Sequence, residues 1–427
     1  MLSHADASLA KRDRGIAGLA LLLNPEAFVA ELRAVWDRGE IDSAELGYVR
    51  YKPGTNCVAG YVIQAGGRTL QLYAKAHASD AEVKLHKARA RDGVAGEADR
   101  GRVLMEKLGV VVSVFPDDAK VRVLARLDDA EGRRRLLARV LRDRPDLTDG
   151  SIQTLAYKPE RRYVGRFMPT GGPDVVLKFY ADSGYPAALR NTRALESRGA
   201  LRLATRTGRS KRYCVLALEW LPGRTLREEL ASPGARLEVV ARVGEAMAEF
   251  HGQEAPKLSA QPPGAESARL RSTAETLGIL CPALAERADA LAGRVAARLD
   301  GSAAGPRPIH GDLYDKQVLV DGDAVAIVDL DQAALGDPRA DLGLFIAHLE
   351  RQAVVGRIEP ERVHRVAEAL LEGYQRASGS PVRGLGPHVA DGLMSLAHHP
   401  FRTRQPDWPV GTEQILDRAE EILGSSE

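Results

Sequence analysis

Polar and apolar residues alternate with a period of two in two separate stretches of this chain. Residues 49–77 read VRYKPGTNCVAGYVIQAGGRTLQLYAKAH, and residues 155–180 read LAYKPERRYVGRFMPTGGPDVVLKFY. Each begins with Tyr-Lys-Pro and runs through an alternating segment to a Gly-Gly pair. Each ends in a second alternating segment that carries a lysine, Lys75 or Lys178. Alternation reversed at Gly-Gly is the pattern of a β-hairpin. Helix-like stretches follow at residues 81–90 and 186–197. Strand-like runs come next at 121–127 and 213–220, and then Gly132-Arg133 and Gly223-Arg224. The parallel order predicts a duplicated unit of about 100 residues, the size of a small domain.

Beyond Leu226 the period changes. Residues 238–250 (EVVARVGEAMAEF) place apolar side chains at helical spacing, and 267–299 continue in Ala, Leu and Arg. Residues 300–308 are rich in Gly, Ala and Pro and read as a loop. Periodic Leu/Ala/Val patterns resume at Pro338, broken by turns at 379–387, 400–401 and 406–409. One β insert interrupts the helices: Val318-Leu319-Val320, the turn pair Asp321-Gly322, and the apolar run 324–328. Mixed β/α units followed by a helical region predict the α+β class. The expected division is an N-terminal helical segment (1–46), a first hairpin-based unit (47–145), a second (146–224) and a helical lobe (225–427).

Composition narrows the function classes. The chain has 427 residues, and a 44% hydrophobic, 28% charged composition is that of a globular protein large enough for two or three domains. A net charge of +2 leaves no reason to expect a nucleic-acid partner. Cys57, Cys214 and Cys281 are too few and too far apart for a disulfide framework or a zinc site, which suits a reducing compartment. The apolar run 15–23 follows Lys11, Arg12 and Arg14 but is too short to span a bilayer and lacks a cleavage pattern. No membrane partner is expected, and the expected location is cytoplasmic.

The chemistry lies in residues 308–343, PIHGDLYDKQVLVDGDAVAIVDLDQAALGDPRADLG. A hairpin over 318–328 brings the loop before it beside the residue after it. His310, Asp312, Gln317 and Asp329 can therefore converge at one end. Phosphoryl transfer needs such a group: a carboxylate to accept or orient the nucleophile's proton, and oxygen ligands that hold Mg²⁺ against the phosphates. The order of a loop Asp, an amide residue five positions on, a strand pair and a second Asp matches the protein-kinase pattern. Asp331 is the alternative metal ligand, while Asp315 and Asp321 read as solvated.

On these residues the chain resembles the aminoglycoside phosphotransferase and choline kinase-like family. That family's loop reads His-Gly-Asp with a short run to Asn, followed by Asp, Gly-Asp-Pro and Asp-Leu. The matching positions here are His310 to Asp312, Asp329, Gly336-Asp337-Pro338 and Asp341-Leu342. The resemblance implies a bilobal protein-kinase-like fold, here preceded by a degenerate second N-lobe-like module. It implies ATP and Mg²⁺ as cofactors, Asp312 as catalytic base, His310 as a brace of its loop, Asp329 as a Mg²⁺ ligand and Asp341 as a tie on the backbone. Gln317 departs from the family's Asn. Its extra methylene moves the amide oxygen by about 1.5 Å, so the loop must shift or the amide must ligate through water. Maltokinases and related actinobacterial glucosamine kinases are similar in carrying Gln here.

The resemblance extends to the nucleotide side. Lys178 ends an apolar strand, as the phosphate-holding lysine does, and Glu196 stands at the spacing of the helix glutamate that orients it. Residues 215–221 resemble the last N-lobe strand and hinge, where backbone groups near Glu219 to Leu221 would meet the adenine edge. No G-x-G-x-x-G loop is present; residues 161–164 occupy its place. Lys75 stands at the equivalent of Lys178 in the first unit. Its following helix (Glu82, Lys84, Lys87) has no glutamate at the matching distance, so that unit is expected to be non-catalytic. Rigidity of the substrate lobe, a homodimer contact or a lid are the roles open to it. The expected partner is a small-molecule hydroxyl acceptor: a sugar, amino sugar or aminoglycoside; acidic residues in its pocket would attract a cationic one, but Glu350 and Asp407 are not signalled strongly enough to be named as a site. A kinase for peptide or protein hydroxyls and a non-catalytic nucleotide-binding module remain as alternatives.

Overall fold

The computed structural model describes residues 2–36, 39–78, 101–232, 236–262, 264–300 and 305–425. The expected helix at residues 81–90 lies outside them. The first sheet is antiparallel and comprises β1 (Ile41–Lys52), β2 (Asn56–Ala65), β3 (Arg68–His77), β4 (Arg102–Met105) and β5 (Val110–Val114), in the order β1-β2-β3-β5-β4. Gly66 and Gly67 close the β2–β3 hairpin with φ of 56° and 74°, and Ala65 pairs with Arg68. Positive φ at both central positions is what a tight two-residue hairpin requires, and glycine supplies it without strain.

The second sheet repeats that topology. It contains β6 (Gly150–Lys158), β7 (Arg162–Pro169) and β8 (Val175–Tyr180). After β9 (Leu201–Arg202), which joins another sheet, come β10 (Arg206–Ser210) and β11 (Val215–Glu219). The order is β6-β7-β8-β11-β10. The two sheets also share an upstream anchor. Asp13 Oδ2 accepts from the Tyr51 hydroxyl (2.6 Å) and the Gly54 amide (2.8 Å). Asp118 Oδ2 accepts from the Tyr157 hydroxyl (2.7 Å) and the Glu160 amide (2.8 Å). Each aspartate thus ties a tyrosine and the amide three residues beyond it. A helix follows each anchor and packs on its own sheet: Pro25–Val35, with Phe28 stacked on Tyr61 at 4.1 Å, and Ala130–Val140, with Leu136, Leu137 and Val140 against Phe167, Val175 and Leu177.

This frame differs from the sequence reading in three places. Residues 121–127 form no strand. Arg122–Leu127 is a 3₁₀ helix; its cap Val121 and its Leu124, three apart, are buried. The counterpart of β11 is instead β5, an almost continuous β-branched run. The helix Ala130–Val140, assigned to the first unit by the sequence division, packs on the second sheet. The helix after β8 is also shorter than expected, spanning only Tyr185–Asn191.

The rest of the chain is helical around a small β core. β12 (Arg224–Thr225) joins β14 (Val318–Asp321), which forms an antiparallel hairpin with β15 (Ala324–Ile327). β15 pairs in parallel with β9. β13 (Arg307–Ile309) pairs with β16 (Ala334–Gly336). Helices Leu237–His251 and Pro360–Ser378 supply Val240, Val243, Met247, Val363, Val366 and Leu370 to the core beneath this hairpin. The N-terminal segment and the first sheet touch the rest of the chain. Asp6 binds Arg404 (2.6 Å) and Trp408 Nε1 (3.2 Å) of the helical lobe, while Lys75 reaches the second sheet at Glu160. No helix among the described residues is long and apolar enough to cross a membrane.

Candidate active site

β13 delivers the chain into His310-Gly311-Asp312. Gly311 has φ of 77°, and a side chain there would meet the Gln332 carbonyl at 2.7 Å, so only glycine passes. His310 is fully buried. Its Nε2 lies 2.9 Å from the Val328 carbonyl, and its Nδ1 lies 3.3 Å from the Asp312 amide. A carbonyl can only accept and an amide N–H can only donate, so the proton sits on Nε2. The ring thereby pins the loop to the strand that leads to Asp329. Asp341, also buried, accepts from the His310 amide (2.6 Å), the Gly311 amide (2.8 Å) and His251 Nε2 (3.1 Å). Burial alone would raise the Asp341 pKa, but these bonds to His251 and the loop hold it below the ordinary value.

Asp329 follows β15 with a left-handed backbone (φ 70°), a conformation that aspartate tolerates better than most residues. Its Oδ1 accepts from Lys178 Nζ (2.7 Å) and Arg162 Nη1 (2.9 Å), and its Oδ2 accepts from Gln317 Nε2 (3.3 Å). Asp331 binds Lys178 Nζ (2.6 Å), the Tyr180 hydroxyl (2.9 Å) and Arg162. Two carboxylates therefore face two cations, which the second sheet supplies. Burial opposes the charge of Asp329, yet Lys178 and Arg162 outweigh it and keep the carboxyl ionised far below the usual range. Asp312 differs. Burial and the nearby Asp329 raise its pKa against the pull of Lys158 and Arg162.

A sequence profile described as "Phosphotransferase enzyme family" matches residues 158–386, more than half of the chain. The chain belongs to the phosphotransferase enzyme family. It is a phosphotransferase of the α+β class. Similar solved structures include a choline/ethanolamine kinase family protein from Mesorhizobium loti, 18% identical over 69% of this chain and 94% of that one, with a TM-score of 0.48. Another is the macrolide 2'-phosphotransferase MphH from Brachybacterium faecium, 21% identical over 66% and 97%, with a TM-score of 0.45. No curated protein matches the chain.

In this phosphotransferase the geometry corrects two residue readings. Glu196 lies exposed in the loop beyond Tyr185–Asn191 and does not reach Lys178; its main chain is instead clasped by Gln253. The helix contributes Asn191, whose Nδ2 donates to the carbonyls of Leu330 (3.1 Å), Asp331 (3.3 Å) and Ala333 (3.0 Å). Asp315 is buried rather than solvated. Arg227 grips it with two bonds of 2.8 and 2.7 Å, and Gln352 adds a third of 3.0 Å. Asp321 is exposed, as expected. Glu219 ends β11, and its own amide is already bonded to the Thr205 carbonyl. Leu221 follows, half-buried. Arg162, Asn191 and the pairing role of Asp331 carried no motif signal, because each acts through a fold contact rather than a spacing.

Asp312 opens onto a cavity of about 660 Å³ bounded by the β6–β7 turn, the catalytic loop, helix Pro338–Val354 and residues 388–405. Glu350 is bound to Arg418 at 2.9 Å and Asp407 is exposed elsewhere; neither lines the cavity.

Proposed function

We propose that this phosphotransferase moves the γ-phosphate of ATP to a hydroxyl of a small molecule held in the cavity beside Asp312, with a sugar or amino sugar as the acceptor class. The observation that carries this reading is the position of Asp312. It lies between a cavity of about 660 Å³ and the cluster of Lys178, Arg162, Asp329 and Asp331. Cavities of that size suit single small ligands rather than an extended peptide. In this reading Asp312 accepts the hydroxyl proton; its raised pKa makes it a better base than an ordinary carboxylate. His310 and Asp341 are positioning residues that hold its loop. Lys178 and Arg162 are the cations that would turn from the carboxylates to nucleotide phosphates. The main chain at Glu219 and Leu221 would border the adenine.

The donor set near Asp329 fits Mg²⁺. Asp329, Asp331 and the Gln317 amide are hard oxygen donors. Among the described residues no cluster of three His, Cys, Asp or Glu forms a closed metal cage, so the ion would complete its shell with water and phosphate oxygens. Asp329 and Gln317 are the residues that would hold it, the latter by turning its amide oxygen inward. When bound, Mg²⁺ supplies positive charge against the transferring phosphoryl group. ATP as donor and three separate cysteines suit a cytoplasmic enzyme. The test is ADP release measured over a panel of sugars with Mg²⁺ titrated. Acceptor-stimulated, Mg²⁺-dependent release is expected. Nucleotide binding with no release above the rate in water would overturn the reading.

A further inference from the structure

The wall of the acceptor cavity is cationic. Lys158, Arg161, Lys316, Arg351, Arg357 and Arg402 all line it, and none has a carboxylate partner among the described residues. Two other lining arginines are already matched, Arg227 by Asp315 and Arg269 by Asp391. Against the six free cations stand two unpaired lining carboxylates, Asp312 and Glu266.

Three of these cations, Arg351, Arg357 and Lys316, form one cluster with the paired Arg227. Arg351, on helix Pro338–Val354, is only 7% exposed, and its Nε has no hydrogen-bond partner. Burial, and then Arg227 and Arg357, lower its pKa, and Arg351 in turn helps burial lower that of Lys316. Asp315 is the one carboxylate in the group, and Arg227 and Gln352 already bind it. His348, stacked on Tyr314 at 4.4 Å, adds no charge, since burial and Arg351 push its pKa down to about 3. Burying a guanidinium without a counterion of its own is costly unless a ligand completes it. Native proteins seldom leave such a donor unsatisfied without a reason.

We infer that the acceptor carries an anionic group, a carboxylate or a phosphate monoester, which Arg351, Arg357 and Lys316 receive while its hydroxyl faces Asp312. The inference rests on the reading of this cavity as the acceptor site. Guanidinium groups match both oxyanions with paired N–H donors, and the low-dielectric wall strengthens the attraction. A polycationic aminoglycoside would meet like charge on most sides.

The test has two arms, both on the full chain with its nucleotide site saturated by Mg²⁺ and AMP-PNP. In the first, inorganic phosphate is titrated by calorimetry. Saturable binding is expected, weakened about tenfold or more in the exposed double variant Lys316→Gln/Arg357→Gln and in Arg351→Gln. No binding, or binding that the double variant leaves intact, overturns the inference. In the second arm, with ATP in place of the analogue, glucuronate and glucose 6-phosphate are compared as acceptors with glucose and glucosamine. Preference for either acid supports the inference and tells carboxylate from phosphate. Preference for glucosamine or glucose overturns it while leaving the phosphotransfer reading standing. Phosphate binding without turnover of any acceptor supports the anion site and counts against these sugars alone.

Discussion

Lys75 Nζ lies 2.7 Å from Glu160 Oε2, so the lysine of the first sheet that corresponds to Lys178 holds the β6–β7 turn of the second. Glu160 is buried with φ of 58°, and Arg50 (3.5 Å) and Lys120 (3.8 Å) also face it. The turn carries Arg161 and leads into Arg162, so the first unit braces the strand that reaches Asp329 and Asp331. Removing Lys75 leaves the glutamate two cations. Removing the glutamate leaves three cations without a counterion. Lys75→Met should therefore cost about 1–3 kcal/mol of stability and Glu160→Gln about 3–5 kcal/mol. The double variant should cost less than the sum. Urea denaturation of the four proteins measures this. Equal, additive losses would mean that the pair does not act as a unit.

Asp312→Asn should lower kcat by about 10² to 10⁴ while the affinity for AMP-PNP stays unchanged. The carboxylate touches no residue of the Lys178 and Asp329 cluster through a hydrogen bond, so the nucleotide contacts survive its loss. Because burial raises the Asp312 pKa, the acid limb of kcat/KM should fall at a higher pH than an ordinary carboxylate near 3.9 would give. Activity then needs the deprotonated form and declines as pH drops through that raised value. Rate profiles of the wild type and of a rescued Asp312→Glu variant test the assignment. A wild-type rate in Asp312→Asn would remove Asp312 as the base.

Glu196 and Asn191 make a contrasting pair. Glu196→Ala removes an exposed side chain without a partner near Lys178, so kcat/KM should change by less than about twofold. Asn191→Ala removes three hydrogen bonds to the backbone of Leu330, Asp331 and Ala333 and should cost about 1–3 kcal/mol. Its effect should appear in kcat and in the Mg²⁺ concentration needed for half activity. Steady-state kinetics on both variants decides. A larger loss from Glu196→Ala would restore the glutamate to the site.

These cases mark where the chain could be read directly. His310, Asp312, Gln317 and Asp329 lie within twenty residues, so local spacing alone places them around one hairpin. Lys178 was visible because an apolar strand ends on it. The duplication announced itself through Tyr-Lys-Pro, but its frame did not. Asp13 and Asp118 stand 38 and 39 residues before the tyrosines they bind and look like any surface aspartate until the helix between them folds back. Glu196 misled because its surroundings have helical composition, yet the helix stops at Asn191. The charge of the cavity was hidden for a similar reason. Its cations come from four segments spread between Lys158 and Arg402, and only the fold brings them to one wall.

Asp341 offers a stability test with a defined pH window. It is buried and joins two loop amides to His251, and each bond to a charged acceptor contributes about 1.5–3 kcal/mol. Asp341→Asn keeps the shape but loses the charge and one acceptor oxygen, so it should destabilise the protein by about 2–4 kcal/mol. The folded pKa is depressed, so the contribution is fully present above the unfolded value of about 3.9 and is lost as pH falls through the folded value. The gap between wild type and variant should hold steady from pH 7 to pH 5, then narrow below about pH 4. Denaturation midpoints across that range read it. A gap that widens on acidification would show that the protonated carboxyl, not the carboxylate, holds the loop.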